Sequence, residues 1–168
     1  MGKNRKEVKY ADVVEAKLND NDFHFMRKDK GDTAIFFLPI HADNAPGLNV
    51  KLMIDANGDS QFRCYIAENV PEKKRAAVID ACNHVNSEFR YISLSVDDDG
   101  DVCAVYDFAI FGDEEVTAAH AISMIFLCAD ITDRCIPYIM KRLWNEESQD
   151  SGQSHIKMNL FQSEGGEA

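Results

Sequence analysis

The sequence predicts an α+β fold: an antiparallel sheet of five to six strands with three helices packed on it, in the order α-β-β-β-β-α-β-β-α. Three observations carry this. Apolar residues recur at spacings of three and four in three separate stretches, and between those stretches they alternate at a period of two. The dipeptides Asn57-Gly58 and Asp99-Gly100 join alternating stretches as tight turns. Strands joined by hairpins run antiparallel, and helices cover the apolar face of such a sheet.

The first helix is expected from about Arg5, with Val8, Ala11, Val14 and Leu18 on one face, and it stops at the turn-prone cluster Asn19-Asp20-Asn21-Asp22. Phe23 and Phe25 share one face of a first short strand, and Asp29-Lys30-Gly31-Asp32 reads as a turn. The stretch from Ala34 to Ile40 is apolar on both alternations, which predicts a strand covered on both sides. Pro39 lacks a ladder donor and belongs at an edge or at the end of regular pairing. After a longer loop from His41 to Gly47, Leu48, Val50, Leu52 and Ile54 mark a half-buried strand. The returning strand carries Phe62, Cys64 and Ile66.

A second helix starts at Val70-Pro71-Glu72, with Pro71 expected at the first helical position, and Asn86-Ser87 closes it. Ile92, Leu94 and Val96 then alternate up to Asp99-Gly100, and the return strand runs from Val102 to about Phe111. The last helix is the longest. Asp113 suits its N-terminus, its pattern continues to about Trp144, and Pro137 predicts a kink or break. The ordered part is read as a single domain over residues 1–146, with a polar tail over 147–168 expected to be disordered. Ile156, Met158, Leu160 and Phe161 form the apolar island of that tail.

Composition narrows the function. The formal charge of −11 repels phosphate backbones, so nucleic acid is not expected as a ligand. The stretch from Ala118 to Ala129 is interrupted by His120 and Ser123 and bounded by Asp130, too short for a membrane span. The start of the chain has no apolar core behind its positive charges, so a cytoplasmic address is expected. Five cysteines, Cys64, Cys82, Cys103, Cys128 and Cys135, form no regular framework and fit reduced thiols.

Val70-Pro71-Glu72-Lys73-Lys74-Arg75 entering a helix, Asn83-His84-Val85-Asn86 at its end, an alternating hairpin and a long helix with the late Pro137 together resemble the YbjN family of bacterial proteins. The resemblance spans Tyr10 to Trp144. It implies a fold like that of the type III secretion chaperones, small acidic proteins that hold other proteins, and a role as a sensory-transduction regulator. It brings no catalytic residues to transfer. The early strand and the polar tail depart from the simplest chaperone pattern.

The residues themselves signal no reaction. An EF-hand reading of Ser95 to Tyr106 would put Ser95 at the first ligand and Tyr106 at the twelfth, neither of which serves. Cys82 and His84 diverge on a helix. Cys128 and Cys135 lie roughly 10 Å apart along one, too far for a disulfide. No nucleophile elbow, phosphate-binding loop or metalloprotease motif occurs. No catalytic, cofactor or metal residue is therefore assigned, and no cofactor is expected.

On a helical wheel, Ile122, Ile125, Ala129, Ile136, Met140 and Leu143 form one apolar face of the last helix. Met124, Ile131, Cys135 and Tyr138 form a second flank, with Phe126 and Trp144 extending the other side. The apolar arc is about twice the 100° that packing on a sheet requires. Another helix of the chain or a second protein must cover the excess. The four flank residues are the candidate partner-binding set, with a homodimer expected. The leading reading is a non-enzymatic protein-binding module, chaperone-like or a regulatory adaptor. The alternative is an enzyme or metal-dependent sensor whose site assembles only in the fold.

Overall fold

The structure, a computed structural model, describes residues 9–110 and 112–144. Its elements are α1 (Lys9–Asp20), β1 (Met26–Lys30), β2 (Thr33–Ile40), β3 (Leu48–Asp55), β4 (Asp59–Ala67), α2 (Glu72–Glu88), β5 (Ser93–Val96), β6 (Val102–Ala109) and α3 (Glu114–Trp144). This is the predicted succession. The strands form a six-stranded antiparallel sheet in the order β1-β2-β3-β4-β6-β5. The crossover through α2 lets β6 pair with β4 and pushes β5 to the edge.

The period-two pattern decides which side of the sheet is buried. Ala34, Phe36 and Leu38 align with Val50, Leu52 and Ile54, and those with Phe62 and Cys64, all of them on the covered face. α1 contributes Val14 and Leu18 to that core, α2 contributes Val78, Cys82 and Val85, and α3 contributes Ile125, Cys128 and Ile139. Both α1 and α2 pack against α3. The opposite face has no helix on it among the described residues.

Several local expectations need correction. β2 is apolar on both alternations, yet only one of its faces is buried; Ile35 and Phe37 are half-shielded on the other. The Lys28 ammonium lies 5.4 Å from the centre of the Phe37 ring, so a lysine stem does part of the covering a second layer would do. β1 begins at Met26, after Phe23 and Phe25, and includes Asp29 and Lys30; the turn is Gly31-Asp32 alone. The Asn57-Gly58 hairpin has a three-residue loop. Gly58 donates to the Asp55 carbonyl at 2.9 Å and takes φ +92°, whereas Asn57 keeps a negative φ. Pro71 is the residue before α2 and not its first helical residue.

α3 runs unbroken through Pro137. Cys135, Ile136 and Ile139 are buried on either side of the proline and hold both segments in place. Asp113 caps the helix through the N–H groups of Glu115 and Val116. By length and composition alone α3 could cross a membrane. Its burial against the sheet, α1 and α2, with Asp130, Asp133 and Arg134 in its middle, accounts for that apolarity as a core helix. The start of the first helix over residues 5–8, Phe111, and the tail over 147–168 lie outside the described residues.

Candidate docking groove

β1 is shorter than β2, and this shapes the surface. The last β1–β2 pair is Met26 with Phe37, so Leu38, Pro39 and Ile40 extend past β1 with their outer edge unpaired. Pro39 has no N–H to offer another strand there. The chain entering β1 straddles the exposed edge. Phe23 meets Phe126 of α3 at 5.2 Å between ring centres, and Phe25 meets Phe36 at 5.7 Å, both toward the helix layer. Met26, next in the alternation, is 52% exposed.

Two adjoining hollows result, of about 390 and 460 Å³, with Pro39 in the wall of both. The first lies between α3 and the β2–β3 loop, lined by Phe23, Ile40, Phe126, Asp43 and Asp130. The second opens on the uncovered sheet face beside Met26, Phe37 and Lys51. With Pro39 between them, the two hollows make a groove on either side of the sheet edge, mainly apolar in its lining. Phe126 is 53% exposed at the first hollow and Met26 52% exposed at the second, and exposed apolar side chains at such hollows mark a contact surface.

The two ends of the groove carry opposite charge. At the α3 end, Asp130 is mostly exposed and only loosely paired to Arg134 at 3.5 Å, and Asp43 is exposed. Asp133 is different: its carboxylate accepts the backbone N–H groups of Asp43 and Asn44 and the Asn44 side-chain amide, which fixes the loop as one wall. At the sheet end, Lys51 stands directly opposite Arg63 across the strands. Like charges in register repel. Among the described residues no carboxylate pairs with either, although Lys51 leans over Tyr65 at 4.8 Å. The Nε of Arg63 is buried with no hydrogen-bond acceptor among the described residues.

The partner-binding set predicted on α3 is divided by the fold. Ile131 is 6% exposed and Cys135 fully buried, both in the chain's own core; this corrects their assignment to a partner. α2 covers that flank, with Phe89 under the Arg134 guanidinium and His84 against Tyr138. Met124 and Tyr138 remain half-buried. The exposed aromatics of α3 are Phe126 and Trp144, on the side opposite the predicted flank. A helical wheel reports apolar width but not which element covers each side, so only the exposure of Phe126 beside Phe23 reveals the groove.

The cysteines offer no chemistry. All five are buried and free, and burial pushes the thiols of Cys64, Cys128 and Cys135 up to about 12 and that of Cys82 up to about 11. Thiols so protonated are poor nucleophiles. Among the described residues no three His, Cys, Asp or Glu side chains converge on a metal position.

Two residues singled out in the sequence have architectural roles. Arg75 donates to the carbonyls of Val70, Asp98 and Asp99, fastening the start of α2 to the β5–β6 turn. The Asn86 side chain both donates to the Leu94 carbonyl and accepts its N–H, closing the outer edge of β5 as a strand would.

Comparison with known proteins agrees with this architecture. A solved structure titled "Crystal structure of YbjN, a putative transcription regulator from E. coli" superposes with a TM-score of 0.52, covering 79% of this chain and 95% of that one at 14% identity, a likeness of fold. No curated protein matches the chain. The family model YbjN, described as "Putative bacterial sensory transduction regulator", matches residues 10–140, and the chain belongs to the YbjN family.

Proposed function

We propose that the protein is a non-enzymatic regulatory adaptor that holds an extended apolar segment of a protein partner in the groove around the end of β2. The observation that carries this reading is that Phe126 and Met26, both about half exposed, stand at two mainly apolar hollows that share Pro39 as a wall. Buried aromatic anchors dominate the energetics of most protein interfaces, and this groove supplies them ready-formed. The regulator description of the family supports an adaptor role. The net charge of −11 favours protein over nucleic acid as the partner. Five free buried thiols favour a reducing, cytoplasmic setting. A chaperone-like mode of holding a client would use the same groove. Homodimerisation through the second flank of α3 would rest on Met124 and Tyr138, since Ile131 and Cys135 are interior.

The test compares the wild type with Met26→Ser/Phe126→Ser as bait in lysate of the native host. Both substitutions sit at exposed positions, so the melting temperature stays within a few degrees. A partner retained by the wild type, lost by the double variant, and cross-linked from a photoreactive residue at position 126 supports the reading. Equal retention by both baits rejects it.

A further inference from the structure

The open face of the sheet carries a charge pattern that complements its own reverse. Between the buried positions of β3 stand Lys51, Met53 and Asp55, and between those of β4 stand Asp59, Gln61 and Arg63. The strands are antiparallel, with Lys51 opposite Arg63 and Met53 opposite Gln61. Both cations therefore lie to one side of the Met53–Gln61 pair and both carboxylates to the other, each about 7 Å away along its strand. Ile35 of β2 continues the middle row beside Met53. At the acidic end a hollow of about 470 Å³ opens, with Met53, Asp55, Asp59 and Asp107 in its wall.

We propose that a second copy of this chain packs on the open sheet face, related by a two-fold axis that crosses the strands over Ile35, Met53 and Gln61. Such an axis reverses the strand direction and sets each strand over its own copy. Lys51 then meets Asp55 of the second copy and Arg63 meets Asp59, while Met53 and Ile35 meet themselves. An axis along β3 would instead set Lys51 on Lys51 and Asp55 on Asp55, so the charges select the first arrangement. Aligned sheets pack about 10 Å apart with strands crossing at about 30°, which shifts the paired charges sideways by about 4 Å, within reach of lysine and arginine stems. Lys28 and Asp107 end the middle row and face their own copies, but both are exposed, where twist carries the edges of the two sheets apart.

The cations give a second argument. Lys51 and Arg63 have no carboxylate partner within the chain among the described residues, and the reversed copy supplies one to each. Two copies of net charge −11 repel at long range, but a screening length of about 8 Å at physiological salt leaves the charges that meet in the interface to decide. Strands about 4.8 Å apart and about 20 Å long give a contact of roughly 500 Å² a side, near the lower limit for a specific interface, so the dimer is weak, with a Kd on the order of 10 µM. This inference does not rest on the docking reading: Phe126 and the first hollow are on the helix side of the sheet edge and stay open in the pair.

Sedimentation of the full chain from about 1 to 500 µM is expected to show a monomer–dimer equilibrium inside that range. Lys51→Glu/Arg63→Glu weakens it at least about 100-fold, and so does Asp55→Lys/Asp59→Lys. Mixing the two variants restores a dimer, since the all-acidic strip of one then faces the all-basic strip of the other; circular dichroism checks that each is folded. Met53→Cys decides the matter without touching a charge. The native thiols are buried, so a short bismaleimide joins two copies through position 53, which lies on the axis. Four results overturn the proposal. They are a wild type that stays monomeric throughout, a folded Lys51→Glu/Arg63→Glu that dimerises like the wild type, a mixture of the two folded charge variants that stays monomeric, and cross-linking through Met124→Cys in place of Met53→Cys, which puts the second copy on α3.

Discussion

Asp133 of α3 and Asn44 of the β2–β3 loop are joined twice: the Asn44 backbone N–H donates to one carboxylate oxygen at 2.9 Å and its side-chain amide donates to the other at 3.0 Å. The Asp43 N–H adds a third bond at 3.1 Å, and Asp133 is only 9% exposed. One carboxylate therefore holds the loop that forms a wall of the groove. Hydrogen bonds to a charged acceptor contribute about 1.5–3 kcal/mol each and are not additive. Asp133→Ala is expected to cost about 2–4 kcal/mol in urea unfolding and to speed amide exchange over residues 41–47. A loss below about 1 kcal/mol with unchanged exchange would show the loop is held by its own turns.

Gly58 and Gly31 both sit in hairpins with positive φ, yet they are not equivalent. A Cβ on Gly58 would stand 2.0 Å from the Ile110 carbonyl oxygen, the acceptor side of a backbone that also donates from Ile110 N–H to Gly58 at 2.7 Å. A Cβ on Gly31 meets nothing within 4 Å. Gly31→Ala carries only the cost of a left-handed conformation, about 1–2 kcal/mol. Gly58→Ala adds a backbone clash that only movement of the β6 end relieves, so it is expected to cost at least about 2 kcal/mol more. Equal melting temperatures for the two variants would contradict the close approach.

Ile131 separates the interior reading of the α3 flank from a dimer interface. A charge at a residue 6% exposed in the core cluster is taken out of water at a large cost. Ile131→Glu is expected to lose more than about 3 kcal/mol and to melt cooperatively at a much lower temperature, whatever the oligomeric state of the wild type. Met124→Glu, at a half-buried position of the same flank, is expected to cost less than about 1.5 kcal/mol. A folded monomeric Ile131→Glu derived from a dimeric wild type, seen by light scattering with unchanged circular dichroism, would restore the interface.

Much of the fold was legible because its periods are local. Leu48 to Ile54 alternate and are buried at every second residue, and Val78, Cys82 and Val85 line one side of a helix. Asp113 was legible as a cap for the same reason. The groove was not, because it arises from the unequal lengths of β1 and β2, a difference of pairing that neither strand's own pattern encodes. Phe23 and Phe25 read as a strand by alternation. The turn after Asp22, whose φ is +55°, instead sends both toward the helix layer ahead of β1. The width of the apolar arc on α3 correctly required extra cover. That α1 and α2 supply it, leaving Phe126 exposed, is a matter of how three helices share one sheet.

The thiols give a pH signature with a definite sign. Burial raises Cys64, Cys128 and Cys135 to about 12 and Cys82 to about 11, and it raises Cys103 as well. In the unfolded chain these groups ionise near the ordinary thiol value of about 8.5. Below that value both states keep the proton and stability is independent of these groups. Above it the unfolded chain binds fewer protons than the folded one, so stability falls as pH rises, and continues to fall until the folded thiols ionise. Each such group contributes a slope of up to about 1.4 kcal/mol per pH unit, so the four with values near 11 or 12 together reach at most about 5 kcal/mol per unit. Against a domain stability of about 5–15 kcal/mol, cooperative alkaline unfolding is expected by about pH 11. At pH 8 the native protein should react with Ellman's reagent at a small fraction of the rate seen in guanidinium, where all five thiols report. Reaction of two or more thiols within minutes in the native state would show that the core opens far more readily than its packing implies.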